Sequence, residues 1–228
     1  MAQQANSFCM QQYALIVAGG NGTRMRAEMP KQFLLLAGKP ILMHTLMVFH
    51  QLNCKLVVVL PETQVGYWKI LCETHNFSIP HEVVTGGQSR FHSVQNGLAV
   101  IPANALVAIH DGVRPCISVK VIEHTFEIAL QKGNAVAAIV PKDSIRIVEE
   151  EDNHSVNRDY YRLMQTPQTF QSTLIKQAYE QSNHSNFTDD AGVLESAGYV
   201  IHLVEGDYRN IKITTSEDLI IAEVFLTR

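Results

Sequence analysis

Few cysteines occur in this chain, and none has the spacing of a metal site or a redox motif. The 228 residues include four, at Cys9, Cys54, Cys72 and Cys116. Without a C-x-x-C pair, zinc-ribbon and thioredoxin-like sites are excluded. We expect free thiols in a reducing, cytoplasmic environment. A nucleophilic cysteine is the less favoured interpretation, because no histidine can be paired with it.

Long apolar runs and an excess of basic residues are also missing. No stretch approaches the roughly 20 consecutive apolar residues that span a bilayer, and the polar, uncharged start MAQQANSFCMQQ does not resemble a signal peptide. We therefore expect a cytoplasmic protein without a membrane partner. Eighteen Lys and Arg face 22 Asp and Glu, for a net charge of −4. Nucleic acid is not an expected partner, since no basic stripe interleaved with aromatic residues is present.

A glycine-rich turn follows the first apolar segment, but it lacks two well-known phosphate-binding signatures. The stretch VAGGNGTRMRAEMPKQF (Val17–Phe33) has Gly20 and Gly22 without the third glycine of a dinucleotide fingerprint, and it has no G-K-[ST]. Arg24 and Lys31 nevertheless flank the turn. Because glycines let backbone N–H groups approach an anion closely, the stretch predicts a site for a strongly anionic ligand.

Along the rest of the chain, apolar segments alternate with amphipathic ones. The apolar segments predict strands at Tyr13–Ala18, Lys55–Leu60, His81–Thr85, Ala105–His110, Ala135–Val140, Val200–Gly206 and Asn210–Thr214. Helices are predicted at Pro40–Gln51, Val65–Asn76, Ser89–Ile101, Ser118–Asn134, Gln171–Gln181, Asp189–Ser196 and Ser216–Leu226. This alternation predicts an α/β fold: one Rossmann-like domain over residues 1–228, with a doubly wound, mostly parallel sheet covered on both faces.

Between Asp143 and Thr169 the alternation breaks. Two strand-like stretches there flank an acidic, turn-rich centre at Glu149–His154. A lone hairpin is only marginally stable and needs a surface to pack on. We therefore expect a two-stranded arm over residues 143–169 that packs against a second copy of the chain, since twofold dimers are the commonest assemblies. The alternative is an exposed hairpin.

Two charged residues, Asp111 and Lys212, lie in or directly after apolar segments, where a charged side chain is unusual. Asp111 follows a predicted strand, and ligands in open α/β sheets bind beyond the carboxyl ends of strands. It either meets a substrate hydroxyl or Mg²⁺, or pairs with Arg114. Lys212 lies in an apolar segment, where a lone ammonium is costly. The interpretation from the pattern alone is an edge-strand lysine that opposes aggregation. His110 is expected to be a hydrogen-bonded structural residue.

Seven motifs occur in an order that resembles a known family. They are AGGNGTRM with PKQF, GGQSRFHSV, HDGVRPC, PKDSIR, NRDYYRLMQTPQTF, FTDDAGVLESAG and EGDYRNIKITTSEDL. From about Ala14 to Thr227 the chain is similar to the nucleotidyltransferases of the 2-C-methyl-D-erythritol 4-phosphate cytidylyltransferase family. The resemblance implies transfer of CMP from CTP to 2-C-methyl-D-erythritol 4-phosphate, with release of pyrophosphate, in isoprenoid precursor biosynthesis. It also implies Mg²⁺ as cofactor and a homodimer.

The resemblance assigns expected roles to individual residues. Three catalytic cations would act on the triphosphate: Arg24, Lys31 and Lys212. The nucleotide would be bound at Ala18, Gly19, Gly20, Gly22, Gly86, Gly87, Gln88, Ser93 and Gly112. The acceptor would be bound by Asp111, Arg114, Ser144, Arg158, Thr166 and Thr188. Asp111 would also be near the Mg²⁺, and Arg158 would reach the site of a neighbouring subunit.

Some of these roles have a competing interpretation. Gln88 is also explained as part of a plain strand–helix connection, and Thr188 is equally well explained as a helix cap. Asp189 and Asp190 are expected to be first-turn helix acids and not metal ligands.

The chain departs from the family pattern at five positions. The family often has proline, alanine, an acidic residue, alanine and threonine at the positions of Val17, Gly19, Gln88, Gly112 and Ser144. Nucleotide contacts made by backbone groups survive the first three changes, and Ser144 keeps a hydroxyl.

Two alternative functions remain open in the sequence. A ribitol-5-phosphate cytidylyltransferase would share most of these motifs, although RLMQTPQTF and EGDYRNIKIT favour the methylerythritol phosphate enzyme. A catalytically silent, nucleotide-binding regulator would have the same fold. The presence of every cation that the chemistry needs is an argument against it.

Overall fold

The computed structural model describes residues 10–19, 29–150 and 152–227. Four residues singled out above, Cys9, Gly20, Gly22 and Arg24, lie outside the described residues. The strands are β1 Gln12–Val17, β2 Leu35–Leu36, β3 Lys39–Pro40, β4 Lys55–Leu60, β5 Glu82–Thr85, β6 Leu106–Asp111, β7 Asn134–Ile139, β8 Ile145–Glu149, β9 Asp152–Val156, β10 Leu163–Gln171 and β11 Leu203–Glu205. The helices are α1 Ile41–His50, α2 Glu62–Thr74, α3 Arg90–Ala99, α4 Val119–Lys132, α5 Ser172–Gln181, α6 Asp190–Ser196 and α7 Ser216–Thr227.

Seven strands form the central sheet, in the spatial order β11-β7-β10-β6-β1-β4-β5. β1 pairs in parallel with β4 and β6, β5 continues in parallel from β4, and β11 pairs in parallel with β7. Only β10 runs against its neighbours β6 and β7. The prediction of a doubly wound, mostly parallel α/β sheet is therefore confirmed. Within the described part of the chain, no helix combines the length and apolar character needed to cross a membrane.

The sheet is buried on both faces because its strands alternate apolar residues toward two layers of helices. In β1, Ala14 and Ile16 pack with the layer that contains α1, α2 and α4. Tyr13 and Leu15 pack with α3, α5 and α6 on the other side. This explains why the strands read as nearly continuous apolar segments and not as half-polar ones.

The predicted helix ends agree with the capping chemistry. Ser118 caps α4 by accepting a hydrogen bond from the N–H of Val121, and Gly133 closes the same helix with a left-handed φ of 90°. Ser89 caps α3 by accepting from the N–H of His92. Side-chain acceptors satisfy otherwise unpaired N–H groups at helix starts, and glycine adopts the left-handed closing conformation without a Cβ clash.

The arm is two-stranded, as predicted, but it is shorter than the predicted range 143–169, and its second strand, β9, lies largely within the predicted turn-rich centre at Glu149–His154 instead of after it. β8 and β9 pair only with each other, in a separate sheet, whereas Leu163–Gln171 forms the antiparallel strand in the middle of the central sheet. The sequence did not reveal β10 because this buried strand carries polar residues, among them Thr166, Gln168 and Thr169. Their hydrogen bonds inside the fold satisfy them.

The second correction concerns Asn210–Thr214, which is not a strand. The segment is an extended loop joined to the rest of the fold by backbone hydrogen bonds such as that from the N–H of Ile213 to the carbonyl oxygen of Val113, at 2.9 Å. Lys212 is thus not an edge-strand lysine, and the interpretation as protection against aggregation is wrong. Alternating apolar residues here bury one side of a loop without ladder pairing.

Two mid-helix glycines provide a test of the packing between α3 and the sheet. A Cβ on Gly97 would lie 2.3 Å from Cδ1 of the buried Leu15, whereas a Cβ on Gly66 in α2 would meet nothing within 4 Å. Gly97→Ala should lower the free energy of unfolding by ~1–2 kcal/mol, because overpacking outweighs the gain in helix propensity. Gly66→Ala should raise it by ~0.5–1 kcal/mol. Urea unfolding of the two variants measures both values. If the two substitutions changed the free energy of unfolding in the same direction, this packing would be contradicted.

Candidate active site

Two adjoining cavities lie at the carboxyl edge of the sheet. The first has a volume of about 320 Å³ and is lined by Val17, Ala18, Gly19, Lys31, Gln32, Gly87, Gln88, Ser89, Arg90, Ser93, Asp111, Val113 and Lys212. The second has a volume of about 260 Å³ and is lined by Arg90, Asp111, Arg114, Met164, Gln165, Thr166, Gln168, Thr188, Asp189 and Lys212. Three residues belong to both walls: Arg90, Asp111 and Lys212. The two cavities meet at these side chains.

A tight turn between β5 and α3 forms one end of the first cavity. The N–H of Gly87 donates to Oγ of Ser93 at 3.1 Å, and the Ser93 hydroxyl donates to the carbonyl oxygen of Ser89 at 2.9 Å. A Cβ on Gly87 would lie 2.4 Å from the Cβ of His92, so glycine is required there. The turn presents backbone groups to the cavity, which suits recognition of a planar ring by a few fixed polar atoms.

Lys31 reaches the first cavity from a short 3-10 helix, Lys31–Phe33, that is anchored on both sides. Phe33 is buried and stacks on Trp68, with 5.9 Å between ring centroids. Nε2 of Gln32 donates to the carbonyl oxygen of Ala18 at 2.8 Å, which ties the helix to the end of β1. Lys31 therefore lines the first cavity together with Ala18 and Gly19, and its role as a phosphate-binding cation stays a prediction.

Asp111 is the electrostatic centre of the junction between the cavities. Its Oδ2 accepts a hydrogen bond from Nε of Arg114 at 3.0 Å and lies 3.1 Å from Nζ of Lys212. Burial alone would raise the pKa of this carboxyl, but Lys212, Arg114 and Arg90 together hold the pKa well below its ordinary value. Asp111 is therefore a carboxylate at neutral pH. The pairing with Arg114, predicted as an alternative, is present.

The loop that follows β11 positions Lys212 at the junction of the two cavities. The side-chain amide of Gln165 donates to the carbonyl oxygen of Asp207 at 2.9 Å and accepts from the N–H of Asp207 at 3.2 Å. Nδ2 of Asn210 donates to the carbonyl oxygen of Thr166 at 2.8 Å. These buried amide contacts tie the loop to β10, so the position of Lys212 depends on a strand that the sequence did not predict.

Thr188 and the start of α6 form the far wall of the second cavity. Asp189 caps α6 by accepting a hydrogen bond from the N–H of Gly192 at 2.9 Å. The cap is therefore Asp189, and the interpretation of Thr188 as the cap is wrong. Of the two expected first-turn acids, Asp190 lies in the first turn of α6, whereas Asp189 is its cap residue.

His110 is a hydrogen-bonded structural residue, as predicted from the sequence. It also fixes the direction of the hydrogen bond that the Thr166 hydroxyl makes. Its Nε2 lies 3.1 Å from the carbonyl oxygen of Arg114 and its Nδ1 lies 3.0 Å from Oγ1 of Thr166. Burial lowers the pKa of His110 to about 4, so the ring is neutral near pH 7. A neutral ring that donates from Nε2 accepts at Nδ1. The Thr166 hydroxyl therefore donates its hydrogen bond to Nδ1 of His110. Toward a ligand, Thr166 then acts as an acceptor.

Four predicted residues lie outside both cavity walls. Gly86 and Gly112 lie behind the first cavity, where their N–H groups donate to the carbonyl oxygens of Leu60 and Val17 at 2.8 and 2.9 Å. Their backbone supports the wall of the first cavity, but neither residue lines it. Ser144 and Arg158 are exposed residues of the arm region, and Arg158 donates to the backbone carbonyl of Lys142.

The described thiols are not nucleophiles. Burial raises the pKa of Cys54 to about 12 and those of Cys72 and Cys116 to about 11. All three are free cysteines. Because the thiolate is the reactive form, these residues are inert near neutral pH. The less favoured interpretation of a catalytic cysteine fails for them.

Arg90 and Gln32 are site residues that sequence reasoning missed. Gln32 directly follows Lys31, and Arg90 lies within GGQSRFHSV, two positions after Gln88 and three before Ser93. A signal for Arg90 was available, because a charged residue at the start of a predicted helix that follows a strand lies at the carboxyl edge of a parallel sheet.

Comparison with known proteins identifies the family. The family model for 2-C-methyl-D-erythritol 4-phosphate cytidylyltransferase (IspD) matches residues 12–228. The chain belongs to this family. IspD relatives include proteins of that name from Bacteroides thetaiotaomicron, 47% identical over 219 residues (95% of this chain and 100% of the relative), and from Porphyromonas gingivalis, 49% identical over 217 residues (94% and 97%).

Solved IspD structures share the fold. The 4-diphosphocytidyl-2C-methyl-D-erythritol synthase of Anaerococcus prevotii superimposes with a TM-score of 0.81 at 28% identity, covering 96% of this chain and 99% of its own. The 2-C-methyl-D-erythritol 4-phosphate cytidylyltransferase of Thermus thermophilus has a TM-score of 0.77 at 27% identity, with 96% and 100% covered. The family resemblance read from the motifs is therefore confirmed.

The neutral state of His110 predicts a pH dependence of stability. The folded pKa of about 4 lies below the unfolded value of ~6.5. The stabilisation is therefore present above pH ~6.5 and is lost as the pH falls toward 4. Between about pH 7.5 and 5, wild type should lose ~2 kcal/mol more free energy of unfolding than His110→Gln.

Urea unfolding at both pH values measures this difference. His124→Gln, on the exposed surface of α4, is the matched control and should follow wild type. If His110→Gln lost as much stability as wild type over the same interval, the buried neutral histidine would be contradicted.

Proposed function

We propose that this chain transfers the cytidylyl group of CTP to 2-C-methyl-D-erythritol 4-phosphate and releases pyrophosphate. One observation carries the proposal: in a member of a family named for this reaction, two cavities meet at Asp111 and Lys212. Transfer between two phosphate-bearing substrates needs two neighbouring spaces with a cation where they join. The first cavity would hold CTP, and the second would hold the acceptor.

The chemistry needs no nucleophilic or basic side chain. The acceptor phosphate is already ionised near neutral pH, so one of its oxygens attacks the α-phosphorus of CTP directly. A bond forms between that oxygen and the α-phosphorus while the bond to the leaving pyrophosphate oxygen breaks. The protein aligns the two groups and stabilises the extra negative charge of the transition state. Lys31 would face the triphosphate, and Lys212 lies at the junction where this charge develops.

Asp111 would orient the two cations and the acceptor together. Its pairing with Arg114 and Lys212 uses Oδ2, which leaves Oδ1 without a partner among the described residues. That oxygen is suited to bind either a hydroxyl of the acceptor or Mg²⁺. Arg114 and Thr188 would complete this wall, and Thr166 would accept a hydrogen bond.

The site also fits Mg²⁺, which we propose as the cofactor. Magnesium sites that involve nucleotides use one or two carboxylates together with phosphate oxygens and water, and Oδ1 of Asp111 is an oxygen ligand of this kind. When bound, Mg²⁺ would neutralise part of the triphosphate charge.

We further propose a cytoplasmic homodimer in which each arm completes the acceptor site of its partner. The arm has no buried residue in β8 or β9, and Tyr160 at its base is 86% exposed. Ser144 and Arg158 are absent from the walls of both cavities in their own chain. A twofold-related copy would cover the exposed apolar residues and receive these two side chains. The free thiols are in keeping with a reducing compartment.

Substrate choice is tested by pyrophosphate release. With CTP and Mg²⁺, turnover should be observed with 2-C-methyl-D-erythritol 4-phosphate and should exceed turnover with ribitol 5-phosphate. A higher rate with ribitol 5-phosphate would overturn the acceptor assignment. Binding of CTP without turnover of either acceptor would favour the regulator.

Subunit complementation tests the shared site. Lys212→Ala and Arg158→Ala should each lower kcat by ~10²-fold or more, on the scale of losing one preorganised donor. The two variants are then unfolded together, refolded and assayed as a mixture. Random pairing makes half of the dimers mixed, each with one intact site, so about a quarter of wild-type activity should return. A mixture no more active than its parents would show that each site is built from one chain.

A further inference from the structure

Arg90 lies at the junction of the two cavities, and the roles described so far do not use it. It is the first residue of α3 and belongs to both cavity walls, together with Asp111 and Lys212. Its side chain is 29% exposed. Any group that passes from a ligand in the first cavity to a ligand in the second must cross the space beside these three side chains.

Arg90 is held in place by a buried carboxylate with three donors. Its two terminal nitrogens donate to Oδ1 and Oδ2 of Asp190 at 2.8 and 2.6 Å. The hydroxyl of Tyr179 donates to Oδ1 of the same carboxylate at 2.6 Å. Asp190 is fully buried, and its backbone N–H donates to Oε1 of Gln168 at 3.0 Å. Such a bidentate pair fixes the plane of the guanidinium as well as its position.

This pairing uses only part of the donor capacity of Arg90. A guanidinium has five N–H donors in a rigid fork, and the end-on contact with Asp190 engages one on each terminal nitrogen. No other described residue accepts a hydrogen bond from Arg90. Because Asp190 offsets its charge, Arg90 is suited to donate directed hydrogen bonds to a ligand more than to supply a free positive charge.

We propose that Arg90 is a further catalytic residue, whose remaining N–H groups donate to a phosphate oxygen at the junction of the two cavities, and that Asp190 and Tyr179 are its positioning residues. The proposal rests on the proposed function, because it assigns Arg90 to the same transfer. It requires no change in the chemistry: the donors stabilise the oxygen charge that develops as the new P–O bond forms.

The competing explanation is that the Arg90–Asp190 pair only ties α3 to α6. These helices begin beside the first and the second cavity respectively, and the two residues are 100 positions apart in the sequence. A purely structural pair can be replaced by apolar residues of similar volume, since such replacements of buried ion pairs are often neutral or stabilising. A catalytic donor cannot be replaced in this way.

The decisive variant is therefore the triple substitution Arg90→Met, Asp190→Leu and Tyr179→Phe. Its melting temperature should lie close to that of wild type, while kcat in the pyrophosphate-release assay falls by ~10²-fold or more. Tyr179→Phe alone keeps the ring and the ion pair, and should lower kcat by a smaller factor. A folded triple variant with the kcat of wild type would overturn the proposal and leave the pair a structural role.

Chemical rescue gives a second readout that does not depend on the triple variant folding. Arg90→Ala keeps the Asp190 carboxylate and the Tyr179 hydroxyl, which together form a vacant guanidinium site. Guanidinium chloride at millimolar concentration should raise kcat of this variant by ~10-fold, whereas urea and sodium chloride should not. Folded Arg90→Ala that turns over as fast as wild type, or that gains nothing from guanidinium, would contradict a catalytic Arg90.

Wild-type enzyme in the same assay separates the two proposals. If wild type does not consume CTP with either alditol phosphate, the proposed function itself fails. If wild type turns over and the variants match it, only the role of Arg90 fails.

Discussion

The ion cluster around Asp111 is the interaction on which the rest of the site depends. One buried carboxylate at the end of β6 holds Arg114 and Lys212 within about 3 Å. Arg114 is largely buried whereas Lys212 stays partly exposed, and burying a cation is costly unless a counter-charge and hydrogen bonds compensate. Asp111 provides that compensation and keeps both cations directed at one point. The glycine turn, Thr188 and Lys31 line the two cavities that meet at this point.

The parallel sheet explains why such a cluster can form there. Strands β1, β4, β5 and β6 end at one edge, so the loops that follow them converge although they are distant in sequence. Apolar packing on both faces makes this edge rigid, and rigidity is what fixed cations need in order to stabilise a transition state without reorganising. The fold thus prepares the site before any ligand binds.

Antiparallel β10 makes a separate contribution, because it joins the two halves of the junction. Its Gln165 and Thr166 contact the loop that carries Lys212, and its Gln168 accepts hydrogen bonds from the N–H groups at the start of α6. Thr166 also bonds His110 and the N–H of Asp111. A strand rich in buried polar residues is costly in a core unless these groups are paired, and here the pairing positions the second cavity.

The sequence alone determined the fold class, the family and most of the residues around the cavities. Apolar periodicity distinguishes strands from helices where the segments are strongly buried. Ordered motifs such as HDGVRPC can be recognised in the sequence without a structure. Tertiary structure alone decided three features: β10 lies inside the sheet, Lys212 is on a loop, and Arg90 is locked to Asp190 at the junction. Each depends on hydrogen bonds or ion pairs between residues that are far apart in the sequence. Such pairings have no period along the chain, so no local pattern of residues can reveal them.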